Sequence, residues 1–364
     1  MLRVLQAGRG LAAAGVAAFH LSMHMGVDRY GGVPVFTDFT RQGFRGVDFF
    51  FVLSGFIIFF AHFKDLGHPA AWKEYAYRRF VRVYPIYWLY TAGIVVLLLL
   101  GFGTEAKNPQ GFADWLTSWT LIRFTDAGPP IPPAWTLFHE VAFYAMFSLL
   151  IFNVRVGVIA LGIWACACVA FWQFPLPGNR TPFNVYTAGY NLFFLFGMGA
   201  FWLYRRGGRG FYEFAAGVVV TVAAAITLDL PYKLSYLALV LGFALLVAGA
   251  TKMELAGYIK VPNFLNYIGN ASYTIYLTHI SIEGLLLKVA MASGLYRTVG
   301  AHATYLLVLS ATIALGCLVY ALIERPIISW LQKRHKKSRQ PAAASDVDVA
   351  PLPAGSVVAR NPTN

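Results

Sequence analysis

Ten apolar runs recur along this chain, at about 11–27, 47–63, 84–102, 135–153, 156–174, 189–204, 212–229, 234–251, 273–293 and 303–323. Crossing the hydrocarbon of a bilayer takes about 20 largely apolar helical residues. Inside lipid, only a helix or a closed barrel satisfies its own backbone. Runs of this length are too long for strands and predict an all-α integral membrane protein of about ten transmembrane helices. Charge agrees: only 12% of residues are charged, against 58% hydrophobic, with a mean hydropathy of +0.59. A soluble domain carries about 25% charged residues. Disorder, a collagen-like fibre and a disulfide scaffold are excluded on the same grounds.

The loops supply orientation. With the N-terminus cytoplasmic, 20 of the 29 Lys and Arg residues fall in inner loops or the tail, among them Arg78, Arg79, Arg82, Arg205 and Arg206. The positive-inside rule then predicts both termini cytoplasmic. A net charge of +13 points to an anionic leaflet or an anionic substrate rather than nucleic acid. No cleavable signal pattern follows Met1-Leu-Arg, and no internal repeat is evident. Residues 1–330 read as the membrane domain. From 331 to 364 a polybasic stretch and a Pro/Ala/Ser/Val tail predict disorder along the inner leaflet. The segment 103–134, with Pro109, Pro129, Pro130, Pro132 and Pro133, reads as a non-helical outer loop, either an acceptor-recognition loop or a connector. Cys166, Cys168 and Cys317 read as packing residues, and no metal, haem or flavin motif is present.

Polar residues inside apolar helices are costly, and each is a functional-site hypothesis. Arg9 and His20 are 11 residues apart, so they return to within ~20° of one helix face, about 16 Å apart along the axis. His24 lies one turn further on that face. Asp48 opens the second run, and Ser54-Gly55 permits close helix packing. Arg79 and Arg82, at i,i+3, can clamp a phosphate through paired N–H donors. Adjacent helical residues diverge by about 100°, so His139 faces away from Glu140. Glu324, beside Arg325 and Pro326, reads as a helix-terminating or loop-pinning group.

Six strings occur in order: Arg9-x10-His20; Gly46-Val-Asp-Phe-Phe-Phe-Val-Leu-Ser-Gly-Phe56; Arg79-x-x-Arg82 before Tyr84-Pro-Ile-Tyr-Trp88; Trp135-Thr-Leu-Phe-His-Glu140; Ser272-Tyr273-Thr-Ile-Tyr276-Leu-Thr-His279; and Glu324-Arg-Pro326. Together they resemble the acyltransferase-3 family of membrane acyltransferases over about 5–330. With no hydrolase-like domain after the tenth run, the chain is similar to the stand-alone exopolysaccharide and O-antigen O-acetyltransferases. One departure is Gly8, where a larger residue is usual.

The resemblance implies a multi-pass bacterial inner-membrane enzyme. It would move an acyl group, commonly acetyl from cytoplasmic acetyl-CoA, to a hydroxyl of a carbohydrate or lipid-linked glycan. Arg79 and Arg82 would hold CoA phosphates, with Arg9 where the thioester enters. His20 would act as general base or carry the acyl group itself. Glu140 and Asp48 would orient the imidazole, as a carboxylate does in a catalytic triad. His24, Tyr273, Tyr276 and His279 would orient substrate, with Glu283 one turn beyond His279. A transporter or flippase with a buried His/Asp/Glu relay is the rival reading, but such folds are usually built from repeats.

Overall fold

In the computed structural model the described residues are 2–100, 109–172, 181–227 and 233–339. Among them there is no β-strand. The helices are α1 (Arg3–Met25), α2 (Thr37–Thr40), α3 (Gly46–His62), α4 (Trp72–Leu99), α5 (Phe112–Thr120), α6 (Trp135–Phe152), α7 (Val154–Ala170), α8 (Pro182–Tyr186), α9 (Tyr190–Arg205), α10 (Phe211–Thr227), α11 (Lys233–Leu255), α12 (Asn263–Asn270), α13 (Ser272–Ala292), α14 (Leu295–Val319) and α15 (Arg325–Arg339). The described part of each of the ten predicted runs lies largely on a helix. Six helical stretches among the described residues are long and apolar enough to cross a membrane, and two shorter apolar helices accompany them. α1, at 23 residues, is long enough, but its polar residues keep it out of the six.

The start of α1 has no local side-chain cap. Its first amides are satisfied from far along the chain: the Arg3 and Val4 N–H groups donate to the two Glu254 carboxylate oxygens at 2.8 and 3.0 Å. A carboxylate there serves both the orphan donors and the positive end of the helix dipole. α1 then packs against α3, α12, α13 and α14, placing it in the middle of the bundle.

Small residues draw the helices together, as Ser54-Gly55 led us to expect. A Cβ on Gly55 would lie 2.0 Å from the Phe194 carbonyl oxygen, and one on Gly197 1.9 Å from that of Val52. α3 and α9 therefore touch backbone to backbone. The departure at Gly8 is explained by its neighbour, because a Cβ there would meet the Phe49 ring at 3.0 Å.

Two predicted segments differ. The stretch 103–134 is not wholly non-helical: its described part contains α5, whose last carbonyls are claimed by α4. Tyr84 and Tyr87 hydroxyls donate to the Thr120 and Ser118 carbonyls, both at 2.7 Å, and Trp88 Nε1 donates to that of Trp119 at 2.8 Å. These aromatics thereby terminate a helix. The polybasic stretch also departs from expectation, since α15 carries it as helix to Arg339. The remainder of the tail, Lys107 and Arg180 lie outside the described residues.

Candidate active site

α4 begins at Trp72, twelve residues before the predicted run, because nothing between Trp72 and Tyr84 breaks a helix; Pro85 stands inside it. Arg78, Arg79 and Arg82 are thus helical. Arg79 and Arg82 face a cavity of about 640 Å³, lined also by Gln6, Arg9, Ser54, Glu140, Tyr144, Ser272, Tyr273, Tyr276, Glu324 and Lys336. α1, α3, α4, α6, α13 and α15 all contribute to its lining.

The three guanidiniums are held differently. Arg9 Nε donates to Ser272 Oγ at 3.1 Å. Arg82 Nη1 donates to Glu324 Oε1 at 3.1 Å, and Thr274 Oγ1 donates to the other Glu324 oxygen at 2.6 Å. Arg79 sits 5.7 Å from the Tyr144 ring centroid, and its buried Nε has no hydrogen-bond partner among the described residues. A buried charged donor left unmade costs on the order of 1–3 kcal/mol or more, so Arg79 presents an unspent valence to whatever enters. Glu140 accepts from the Tyr144 hydroxyl and, with Glu324, supplies negative charge near Arg9 and Arg82.

Glu324 was legible as a motif but not as a site residue. It ends a five-residue π-helical turn, Tyr320–Glu324, between α14 and α15. Such turns are rare and recur at functional sites. Here the extra residue in the turn accompanies a fully buried carboxylate facing Arg82.

The histidines form a second cluster along α1 and α13. His20 Nδ1 lies 2.9 Å from the Val16 carbonyl and 3.3 Å from His279 Nε2, while His279 Nδ1 lies 2.7 Å from the Tyr276 carbonyl. A carbonyl can only accept, so both Nδ1 atoms carry the proton. His20 Nδ1–H is then shared between the Val16 carbonyl and, at the longer distance, the His279 Nε2 lone pair, and His20 Nε2 keeps its own lone pair, without a partner among the described residues. One turn further, His24 Nδ1 is 3.2 Å from Glu283 Oε2. The contacts Arg9–Ser272, His20–His279 and His24–Glu283 ascend together, so α1 and α13 run parallel and share a polar seam along their length.

Tyr276 is the wall between the two clusters. It lines the cavity, its ring lies 5.9 Å from that of His279, and its hydroxyl donates to the Pro133 carbonyl at 3.1 Å. The Tyr273 hydroxyl donates to the Val83 carbonyl at 2.9 Å, fixing α13 on α4.

The structure therefore brings Arg9, Arg79, Arg82, Glu140, Tyr273 and Tyr276 into one cavity, and pairs His20 with His279 beside it. It does not bring either predicted carboxylate to the imidazole. Among the described residues neither Glu140 nor Asp48 hydrogen-bonds to His20. Asp48 is buried against Arg45 Nη1 at 3.3 Å, where the first turn of α3 meets the preceding turn. His139 faces away as expected, 2.8 Å from Asn191 Oδ1 on α9 and fully buried. The three cysteines are free.

A family model described as "Acyltransferase domain", of the acyltransferase-3 type, matches residues 3–321. The chain belongs to the acyltransferase-3 family. It is accordingly a membrane acyltransferase. It is similar to the exopolysaccharide production protein ExoZ of Rhizobium meliloti (strain 1021), 29% identical over 320 residues that cover 79% of this chain and 90% of that protein. It is also similar to the acyltransferase MdmB of Streptomyces mycarofaciens, 24% identical over 380 residues covering 93% and 94%. No solved structure matches the chain.

Proposed function

We propose that this acyltransferase moves an acetyl group from cytoplasmic acetyl-CoA to a hydroxyl of an exported or envelope carbohydrate, free or lipid-linked. The observation that carries the donor is the arginine-rich cavity, where Arg9, Arg79 and Arg82 converge and the buried Arg79 Nε has no hydrogen-bond partner among the described residues. A pyrophosphate or phosphate is the ligand such a group is built for. The acceptor class follows from the name of the ExoZ relative.

In this reading the cavity opens to the cytoplasm, both termini lie on that side, and ten helices cross a bacterial inner membrane. Arg79 and Arg82 hold the CoA phosphates, and Arg9 holds the carbonyl end of the pantetheine arm. The acyl group passes Tyr276 to reach His20, about 16 Å along α1 from Arg9. There the Nε2 lone pair takes the proton of the acceptor hydroxyl, or attacks the thioester to carry the acyl group itself. Glu140 sets the charge balance of the guanidiniums, and Asp48 anchors Arg45. Tyr273, Tyr276 and His24 shape the path. The described part of the segment 109–134, tied down through Pro133, forms one side of the acceptor's approach.

The test is transfer of labelled acetyl from acetyl-CoA in proteoliposomes carrying wild type or His20→Ala. Label reaching an envelope polysaccharide with wild type only is the expected result, and label retained on the protein would select the acyl-histidine route. Equal transfer by His20→Ala would remove His20 from the reaction.

A further inference from the structure

Glu283 is 0% exposed, and neither of its carboxylate oxygens accepts a hydrogen bond within the described residues. Among the described residues, His24 Nδ1 lies 3.2 Å from one of these oxygens. A buried carboxylate with so little compensation costs several kcal/mol unless a positive charge stands beside it. The reaction proposed above produces such a charge, because a base that takes the acceptor's proton becomes cationic inside the membrane. His279 stands between the two, contacting His20 through Nε2 and lying one helical turn before Glu283 on α13.

We infer that His20, His279 and Glu283 form a proton-parking relay, in which His279 accepts the proton His20 would otherwise have to hold and Glu283 supplies the counter-charge. This rests on the general-base form of the proposed acyl transfer. As the acceptor oxygen attacks the thioester carbonyl, its proton passes to His20 Nε2, and the Nδ1 proton of His20 passes to His279 Nε2. His279 keeps its Nδ1–H on the Tyr276 carbonyl throughout. When the tetrahedral intermediate collapses and the carbon–sulfur bond breaks, the two transfers reverse and the departing thiolate receives a proton from His20 Nε2. No net proton crosses the membrane, and no other reactant is needed. His279 and Glu283 act through His20, so they are positioning residues. The titratable groups facing them are His20 and His24 from α1, Tyr30 from the turn after it, and Tyr305 from α14, whose hydroxyl is committed to the Ala18 carbonyl at 2.8 Å.

The experiment measures kcat, acetyl-CoA KM and the pH profile of kcat for wild type, Glu283→Gln, Glu283→Asp and His279→Asn in proteoliposomes. The expected result is a kcat lower by about 10–100-fold in Glu283→Gln, the size typical of proton-transfer assistance, with KM within about twofold. The acid limb of the profile should move to lower pH, and Glu283→Asp should recover most of the rate. His279→Asn should lose rate similarly and carries the test should Glu283→Gln fail to fold. A Glu283→Gln enzyme with wild-type kcat and an unmoved profile overturns the relay. So does a loss in kcat that leaves the profile unmoved, which would make Glu283 a packing group. Absence of transfer by wild type would count against the proposed function instead, and protein-bound acetyl against its general-base form.

Discussion

Glu324 and Glu283 are both carboxylates buried inside the bundle, and they are housed in opposite ways. Arg82 meets Glu324, which Thr274 also holds, with the Tyr90 hydroxyl 2.9 Å from Thr274 Oγ1. Glu283 has an imidazole at 3.2 Å and, among the described residues, no hydrogen bond to either oxygen. The difference teaches where the molecule is finished and where it waits. A buried carboxylate with both oxygens bonded, as Glu324 is, makes a fixed wall, whereas a buried group left short of partners is ready for a charge that arrives during the reaction. Arg79, in the same cavity as Arg82, belongs with Glu283 in this respect.

The largest effect is expected at the reacting end. His20→Ala should lower acetyl transfer by about 10²–10⁴-fold while acetyl-CoA binding to the purified protein is retained; binding and transfer lost together would place His20 in the fold. Next, Glu324→Ala strips the partly exposed Arg82 of its counter-charge and Thr274 of its acceptor, which should cost on the order of 1–3 kcal/mol. A marked fall in the thermal midpoint in detergent is expected, and an unchanged midpoint would make the wall dispensable. Arg79→Ala separates the two kinds of group most cleanly. It should weaken acetyl-CoA binding by about 10–100-fold, the worth of one or two charged hydrogen bonds, with the thermal midpoint unmoved. A falling midpoint with unaltered affinity would invert the comparison. The smallest effect is Tyr87→Phe, which removes one of three hydrogen bonds ending α5 and should cost about 1 kcal/mol, read as a modest midpoint shift at full activity.

Much of the helical plan is legible in the sequence, because hydrocarbon thickness imposes a length that any spanning helix must meet. The Arg9–His20 face is legible for a similar reason: helical periodicity fixes both angle and rise. What periodicity cannot reach is partnership across the chain. His279 and Glu283 stand out as a polar pair on their own helix, yet nothing local says that they meet His20 and His24, some 259 residues earlier in sequence. Glu140 was expected beside the imidazole; the hydrogen-bonded neighbour the structure gives it is Tyr144, one turn along its own helix. α5 was hidden by its proline-rich surroundings, which mask a nine-residue helix closed by side chains from another element. The tail stretch to Arg339 is helical because α15 docks on α4: Tyr77 donates to the Leu331 carbonyl at 2.9 Å and stacks on His335.

The contact between Gly8 and the Phe49 ring couples two positions that nothing in the reaction connects. Space in that corner is shared between α1 and α3, so a side chain at position 8 can grow only as the one at 49 shrinks. Gly8→Val should be tolerated poorly alone and better with Phe49→Leu. Among relatives, the two positions should drift as a compensating pair, with the total volume held roughly constant and neither residue fixed.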